Sequence, residues 1–162
     1  MFNENKSKLE LHRQGFTLVE LLLVIGIIAT LAVVVFVALD PAKRFADSRD
    51  ARRTSDVETI LSAIHQYIID NKGSFPSGII TDEERMLGGS NGGCVNSSGG
   101  CNSGNEACIN LLSELSPYLK NIPFDPLNGS ESNTQYTVVK DGNGIITVKA
   151  CSAEGGVISV SR

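Results

Sequence analysis

Residues 16–39 read FTLVELLLVIGIIATLAVVVFVAL, and Glu20 is the only charged residue in this stretch. A helix of this length extends about 36 Å, which exceeds the hydrocarbon core of a bilayer at about 30 Å. The stretch is longer than the apolar region of an ordinary secretory signal, about 7–15 residues, and no A-x-A-like cleavage site follows it. We therefore predict a membrane-spanning helix, with a buried helix of a soluble protein as the alternative.

The rest of the chain predicts a small head outside the membrane. The chain has 162 residues, enough for one modest domain, and its 14 Lys and Arg against 18 Asp and Glu give a net charge of −4. That balance gives no reason to expect a dedicated nucleic-acid site. Apolar residues concentrate near the N-terminus, whereas Gly, Asn and Ser are frequent in the second half. The composition thus indicates an anchor followed by a head.

A specific pattern surrounds the start of the apolar stretch. Residues 13–20 read RQGFTLVE, so a short polar segment ends in Gly15 and Phe-Thr-Leu-x-Glu opens the long apolar helix. This pattern resembles the class III leader of type IV prepilins and of type II secretion pseudopilins. The resemblance covers residues 1–76 well and the remainder in outline.

The resemblance implies a sequence of processing and assembly. A prepilin peptidase would cut between Gly15 and Phe16 on the cytoplasmic side, which makes residues 1–15 a leader, and the new amino group of Phe16 would be methylated. The apolar segment would stay in the inner membrane until a pilus or secretion assembly platform moves the subunit into a helical homopolymer. That filament would lie at the cell surface or in the periplasm.

Charge counting alone gives the opposite orientation. Three Lys and Arg precede the apolar stretch, whereas five follow it within residues 43–53, and the positive-inside rule would then place the head in the cytoplasm. An even number of cysteines in the second half instead favours export into an oxidising compartment. We give the leader pattern more weight because it is more specific than the charge count, and we predict an exported head.

Glu20 needs a physical explanation within the apolar stretch. A carboxylate near the bilayer centre costs on the order of 2.5–3.5 kcal/mol, and less near its edge. After cleavage the amino terminus of Phe16 becomes a candidate partner, either one turn away in the same helix or in a neighbouring subunit. Pairing between subunits would set their axial register, since any other register leaves a buried charge uncompensated. A carboxylate that simply reaches the headgroups is an equal alternative on physics alone, and the surrounding motif favours the register role.

The helix should change character at Pro41. Proline lacks an N–H and crowds the preceding turn, so we expect a kink or restart there. Residues 42–72 are charged and helix-prone, and Gly73 and Pro76 then end the helix. An apolar stripe at i, i+3, i+4, i+7 spacing runs along them: Val57, Ile60, Leu61, Ile64 and Ile68. We predict a long helix over residues 16–72, membrane-spanning in its first half.

The sequence of the head, residues 73–162, predicts an antiparallel sheet. Residues 107–119 are consistent with a short helix, residues 135–140 and 145–150 form a hairpin around Asp-Gly-Asn-Gly, and residues 156–161 offer a third strand. The resulting fold class is α+β, with a long N-terminal helix packed on a small antiparallel sheet. This is the pilin-like architecture that the resemblance implies.

Four cysteines predict two disulfides in the head: Cys94, Cys101, Cys108 and Cys151. Three of them bracket a glycine-rich segment, residues 88–104, which cannot bury much apolar surface and is costly to order. Of the three pairings, we favour Cys94–Cys101 as a local staple and Cys108–Cys151 as a tie to the last strands. Free thiols in a cytoplasmic protein are the alternative.

We expect neither a cofactor nor an enzyme. Major pseudopilins can bind calcium near the C-terminal loop, which makes Asp125, Asn128 and Asp141 candidate ligands, but their spacing matches no EF-hand loop and turn formation is the commoner explanation. His65, the only histidine after the leader, lies beside the apolar stripe and completes no catalytic set. The chain also has no P-loop or zinc-hydrolase motif.

The leading functional hypothesis is a structural subunit of a type IV pilus-like filament. Its partners would be other copies of itself, prepilin peptidase, the assembly platform and, before assembly, the inner membrane. A type II secretion pseudopilin is the nearest alternative. A membrane-tethered binding module that does not polymerise is the alternative from another class.

Overall fold

The computed structural model describes residues 15–89, 94, 100–101 and 108–162. The predicted leader, apart from Gly15, and most of the glycine-rich segment lie outside these residues. These described residues form helices α1 (Leu18–Leu39), α2 (Pro41–Asp70) and α3 (Leu112–Leu115) and four strands. The strands are β1 (Arg85–Met86), β2 (Tyr136–Lys140), β3 (Ile146–Ala150) and β4 (Ile158–Ser161).

The helical region is interrupted where the sequence has Asp40-Pro41. Asp40 adopts a left-handed conformation with φ of 38°, and it ends α1. Pro41 then begins α2, where its missing N–H costs nothing because the first turn of a helix has no intrahelical partner for it. The compact unit that contains the head begins at Ala42, so nearly all of α2 belongs with the head.

The end of α2 follows the predicted signals. Gly73 has φ of 89°, and its N–H donates to the carbonyl of Ile68 at 2.8 Å, which satisfies one of the last free carbonyls of the helix. Lys72 also has a positive φ, 57°. The chain thereby leaves the helix and enters the head.

The head contains a four-stranded antiparallel sheet in the order β1-β2-β3-β4. Val138, Val148 and Val160 are aligned across β2, β3 and β4. The turn between β2 and β3 is formed by Asp141, whose Oδ1 accepts hydrogen bonds from the N–H groups of Asn143 and Ile145 at 2.9 and 2.8 Å. The hairpin and the third predicted strand are confirmed.

The apolar stripe of α2 packs in the same core as the sheet. Val57, Ile60 and Ile64 are fully buried, Leu61 is buried, and Ile68 packs at the edge of the cluster. The sheet, α3 and the residue before α3 supply further large members: Tyr136, Val138, Ile146, Val148, Leu111 and Leu115. The predicted α+β arrangement, a long helix packed on a small antiparallel sheet, is therefore confirmed.

The helix predicted over residues 107–119 is much shorter than expected. Of the described part of this range, residues 108–119, only Leu112–Leu115 is α-helical, and Ile109 forms a parallel bridge with Leu87 instead. The Ile109 N–H donates to Met86 at 2.8 Å, and the Ile109 carbonyl accepts from Gly88 at 3.0 Å. The backbone around Ile109 is thus used to extend the sheet edge, which its apolar spacing alone did not indicate.

The two disulfides join different partners from those predicted. Cys94 pairs with Cys108 and Cys101 pairs with Cys151, with Cα–Cα distances of 5.2 and 4.9 Å. The pairing Cys94–Cys101 with Cys108–Cys151 is therefore wrong. The sheet explains the difference: Cys151 follows β3 directly, and Cys101 lies beside β2, where its Sγ accepts a hydrogen bond from Thr137 Oγ1 at 3.3 Å.

Candidate functional site

The predicted cleavage position lies in exposed chain immediately before α1. Gly15 and Phe16 precede the helix, and the Phe16 side chain is 84% exposed. Apart from Gly15 itself and its chain neighbours, no described atom lies within 4 Å of the position that a Cβ would take at Gly15. Nothing among the described residues obstructs access to the bond between these two residues.

Glu20 caps the first turn of its own helix. Thr17 is the N-cap: its Oγ1 accepts the Glu20 N–H at 3.2 Å, and its own N–H and hydroxyl donate to Glu20 Oε2, each at 2.8 Å. This capping box satisfies helix N–H groups that have no intrahelical partner. The Thr-x-x-Glu spacing of Thr17 and Glu20 is a capping signal, but the sequence analysis did not consider it.

The side chains of α1 are exposed along its whole length. None of its residues is buried, and its surface is almost entirely aliphatic. Within the described part of the chain, it forms the portion of the helical region that is long and apolar enough to cross a membrane. An apolar surface of this size is stable only in lipid or against other apolar surfaces.

A buried cation lies where α2 meets two loops of the head. Arg53 is completely buried, and it binds Asp125 through two contacts: Nε to Oδ2 at 2.6 Å and Nη2 to Oδ1 at 3.1 Å. Its Nη1 donates to Asp50 at 2.8 Å and to Glu154 at 2.9 Å. Three carboxylates thus satisfy one guanidinium, which is the arrangement that a buried charge requires.

The same cluster fixes both loops to α2. Arg49 makes a two-point contact with Glu154 at 2.6 Å, and Asp50 accepts the N–H groups of Glu154 and Gly155. Asp125 accepts the N–H groups of Leu127 and Asn128 at 2.8 and 3.0 Å. We call Arg49, Asp50, Arg53, Asp125 and Glu154 the arginine cluster.

The charged groups of the arginine cluster shift one another's pKa values. Burial opposes ionisation of Asp50 and Asp125, but the Arg53 guanidinium and backbone N–H groups outweigh it and lower the pKa of both carboxyls. Hydrogen bonds from Arg49 and Arg53 lower the pKa of Glu154 to about 2. Burial alone would lower the pKa of Arg53, but its carboxylate partners raise it above the ordinary value. All five groups are charged at neutral pH.

A buried tyrosine makes a further polar contact between the sheet and α2, close to the arginine cluster. The side chain of Tyr136 is fully buried, and its hydroxyl donates to Asp56 at 2.8 Å. Burial and the neighbouring Asp56 carboxylate raise the pKa of Tyr136 far above its ordinary value, so the hydroxyl remains a donor. The contact joins the start of β2 to α2 one turn beyond Arg53.

The calcium candidates have other contacts in the structure. Asp125 binds Arg53, and Asp141 shapes the β2–β3 turn, where the N–H of Ile145 and other backbone groups lower its pKa. Among the described residues, no group of three or more His, Cys, Asp or Glu side chains is placed to hold a metal ion. His65 lies at the edge of the stripe with its Nε2 3.3 Å from the carbonyl oxygen of Arg162.

The arginine cluster is the feature that the sequence analysis missed. Arg49 and Arg53 precede Val57 at spacings of eight and four residues, so they continue the face of the apolar stripe toward the N-terminus. Arginines in register with a core stripe indicate buried partners. From the sequence alone, both arginines were interpreted only as positive charges near a membrane.

Comparison with known protein families bears on the N-terminal region alone. A family model described as the prokaryotic N-terminal methylation motif matches residues 11–36, which include Gly15, Phe16, Thr17 and Glu20. No curated protein and no solved structure is similar enough to the chain to give a match. The match therefore covers the predicted cleavage position and most of α1.

Proposed function

We propose that this chain, a type IV pilin-like precursor with a class III leader, is a structural subunit of a type IV pilus-like filament. The methylation motif supports this family of precursors, whose members are structural subunits rather than enzymes. The observation that carries the proposal is the combination of that motif with an exposed apolar helix that contains a single acid, Glu20.

The proposed pathway begins with removal of the leader by prepilin peptidase between Gly15 and Phe16. The exposure of this junction is compatible with cleavage. Phe16 then carries the free amino group, which is methylated, and the apolar α1 holds the subunit in the inner membrane. The head remains outside, tied to α2 by the core and the arginine cluster.

Polymerisation follows when α1 leaves lipid for a core of other α1 helices. Both environments are apolar, so transfer keeps the aliphatic surface out of water. Glu20 then exchanges its capping contacts with Thr17 for the amino group of Phe16 in a neighbouring subunit. Only one axial offset pairs every buried charge, so Glu20 sets the register.

The test is Glu20→Gln, because glutamine retains the capping geometry and removes the charge. We expect the variant to be processed at Phe16 and to remain in the membrane, but to yield few or no filaments by electron microscopy of sheared material. Glu58→Gln, which removes an exposed charge from α2, is the matched control and should assemble normally. Equal filament yield from Glu20→Gln and the unmodified chain would contradict the register mechanism.

Mass spectrometry of the mature N-terminus tests the processing step separately. We expect a chain that begins at a methylated Phe16. The same preparations distinguish the alternatives: long surface fibres favour a pilus, and short fibres restricted to the periplasm favour a pseudopilus. A mature protein that never forms fibres would favour the tethered binding module.

A further inference from the structure

Near its start, α2 exposes a cationic and an aromatic residue that are consecutive in the sequence. Phe45 is 67% exposed, and Arg44 is exposed beside it. Within the described ranges, Arg44 makes no ion pair or hydrogen bond, whereas Arg49 and Arg53 are bound to head carboxylates. A single exposed phenylalanine is not unusual in itself, and what distinguishes Phe45 is its position just after the apolar α1.

The distance along the chain places this pair at the membrane surface. Phe45 lies six positions beyond Leu39, the last residue of α1, and six positions cover about 9 Å at helical rise and at most about 20 Å when fully extended. The headgroup layers add about 5–7 Å on each side of the hydrocarbon core. A chain that leaves the core at Leu39 therefore has Phe45 within reach of the headgroup layer.

The chemistry of Arg44 and Phe45 suits the headgroup layer. Phenylalanine is among the apolar residues that interfacial helices bury at the boundary between acyl chains and headgroups, and a guanidinium binds phosphate oxygens in a two-point arrangement. The nearby charges nearly cancel: Asp40 and Lys43 are each engaged in contacts, and Asp47 is exposed one turn further along. Because these charges nearly cancel, binding does not depend on a net negative charge of the membrane surface. Arg44 would instead recognise the phosphodiester group that all phospholipids share.

We propose that Arg44 and Phe45 anchor the unassembled subunit in the headgroup layer of the exported leaflet. Phe45 inserts beside the glycerol region, and Arg44 binds a lipid phosphate. The anchor fixes how far the head stands from the membrane before assembly. This inference rests on the membrane-anchored state in the proposed function, and it is independent of polymerisation through Glu20.

The chain contains no tryptophan, so single tryptophans can report the depth of chosen positions. Full-length Phe45→Trp is reconstituted into phosphatidylcholine vesicles with and without lipids brominated near the headgroup end of the acyl chain. Ile69→Trp is the matched control, because Ile69 is 75% exposed on the same helix but 24 residues further along. Phe36→Trp, within α1, is the reference for the membrane interior.

We expect the Phe45→Trp emission to be blue-shifted and quenched by brominated lipid, relative to Ile69→Trp. Quenching of Phe45→Trp should decrease when Arg44→Gln is added, and it should not change with Arg52→Gln. If Phe36→Trp is quenched but Phe45→Trp behaves like Ile69→Trp, the anchor proposal is overturned and the membrane-spanning helix stands. If Phe36→Trp is not quenched either, the membrane-anchored state itself fails.

Discussion

Arg53 occupies a position that the pattern of α2 would otherwise give to an apolar side chain. It lies four residues before Val57 on the buried face, and it is fully buried. Removing a guanidinium from water is costly, and several hydrogen bonds to carboxylates are needed to offset that cost. Because its partners lie on two different loops, the requirement for compensation also positions those loops against α2.

Replacement of Arg53 should therefore destabilise the head strongly. Arg53→Met keeps the apolar volume but leaves Asp125 buried without its cation, and we expect the free energy of unfolding to fall by about 3–5 kcal/mol. Denaturant unfolding of the detergent-solubilised full chain measures this change. Arg52→Met, which removes an exposed arginine 3.7 Å from Asp56, should cost less than about 1 kcal/mol. Equal losses from the two variants would refute the role assigned to the arginine cluster.

The same cluster predicts sensitivity to acid. Asp50, Asp125 and Glu154 have lower pKa values in the folded head than in the unfolded chain, where carboxyls titrate near pH 4. Their contribution to stability is therefore complete above about pH 5 and is lost as the pH falls toward 2. The midpoint of denaturant unfolding, measured from pH 7 to 2, should decrease over this window. Glu154→Gln should give a shallower decrease, and an unchanged profile would show that Glu154 does not contribute.

At the scale of elements, the disulfides connect segments that the sheet alone leaves separate. Cys101–Cys151 joins residues 50 positions apart and ties the end of β3 to the segment beside β2, whereas Cys94–Cys108 closes a loop of 14 positions. A crosslink stabilises partly by restricting the unfolded chain, and the restriction grows slowly with loop length. The longer link should therefore contribute more.

Removal of each disulfide tests this order. On loop length alone, we expect Cys101→Ser with Cys151→Ser to cost about 4 kcal/mol and Cys94→Ser with Cys108→Ser about 3 kcal/mol. Thermal or denaturant unfolding under non-reducing conditions gives both values. Peptide mapping of the unmodified chain should recover Cys101 linked to Cys151. Recovery of a Cys94–Cys101 peptide would overturn the connectivity.

The sequence predicted some secondary-structure elements correctly and missed others. The apolar stripe of α2 and the β2–β3 hairpin depend on spacings within one segment, and both were found correctly. Strand β1 has only two residues, too few to show alternation, and it exists because β2 offers a free edge. The stretch around Ile109 has helical apolar spacing, but its backbone pairs with Leu87 and Met86 because those groups are available in the folded head.

At the scale of the whole molecule, the folded head changes how the charge count should be interpreted. Five basic residues follow the apolar stretch, which by count alone would place the head in the cytoplasm. Two of them, Arg49 and Arg53, bind carboxylates of the head. Their contacts within the head explain why these two arginines are present, so they are not evidence for the side of the membrane on which the head lies.

We predict that the head is exported and fully oxidised. In membranes isolated with a thiol-blocking reagent and then denatured, none of the four cysteines should be alkylated, because disulfides persist in oxidising compartments. The same sample reduced before alkylation is the control and should gain four labels. Four labels without reduction, seen by mass spectrometry of the intact chain, would place the head in the cytoplasm.

The sequence by itself determined a helix long and apolar enough to cross a membrane, the N-terminal methylation motif that the family model matches, the buried stripe of α2 and the hairpin. Each of these depends on residue type and spacing within one continuous segment. Only the tertiary structure decided the cysteine partners and the buried role of Arg53. Those contacts join residues 14 to 101 positions apart, and packing of α2 against the sheet and loops brings them together.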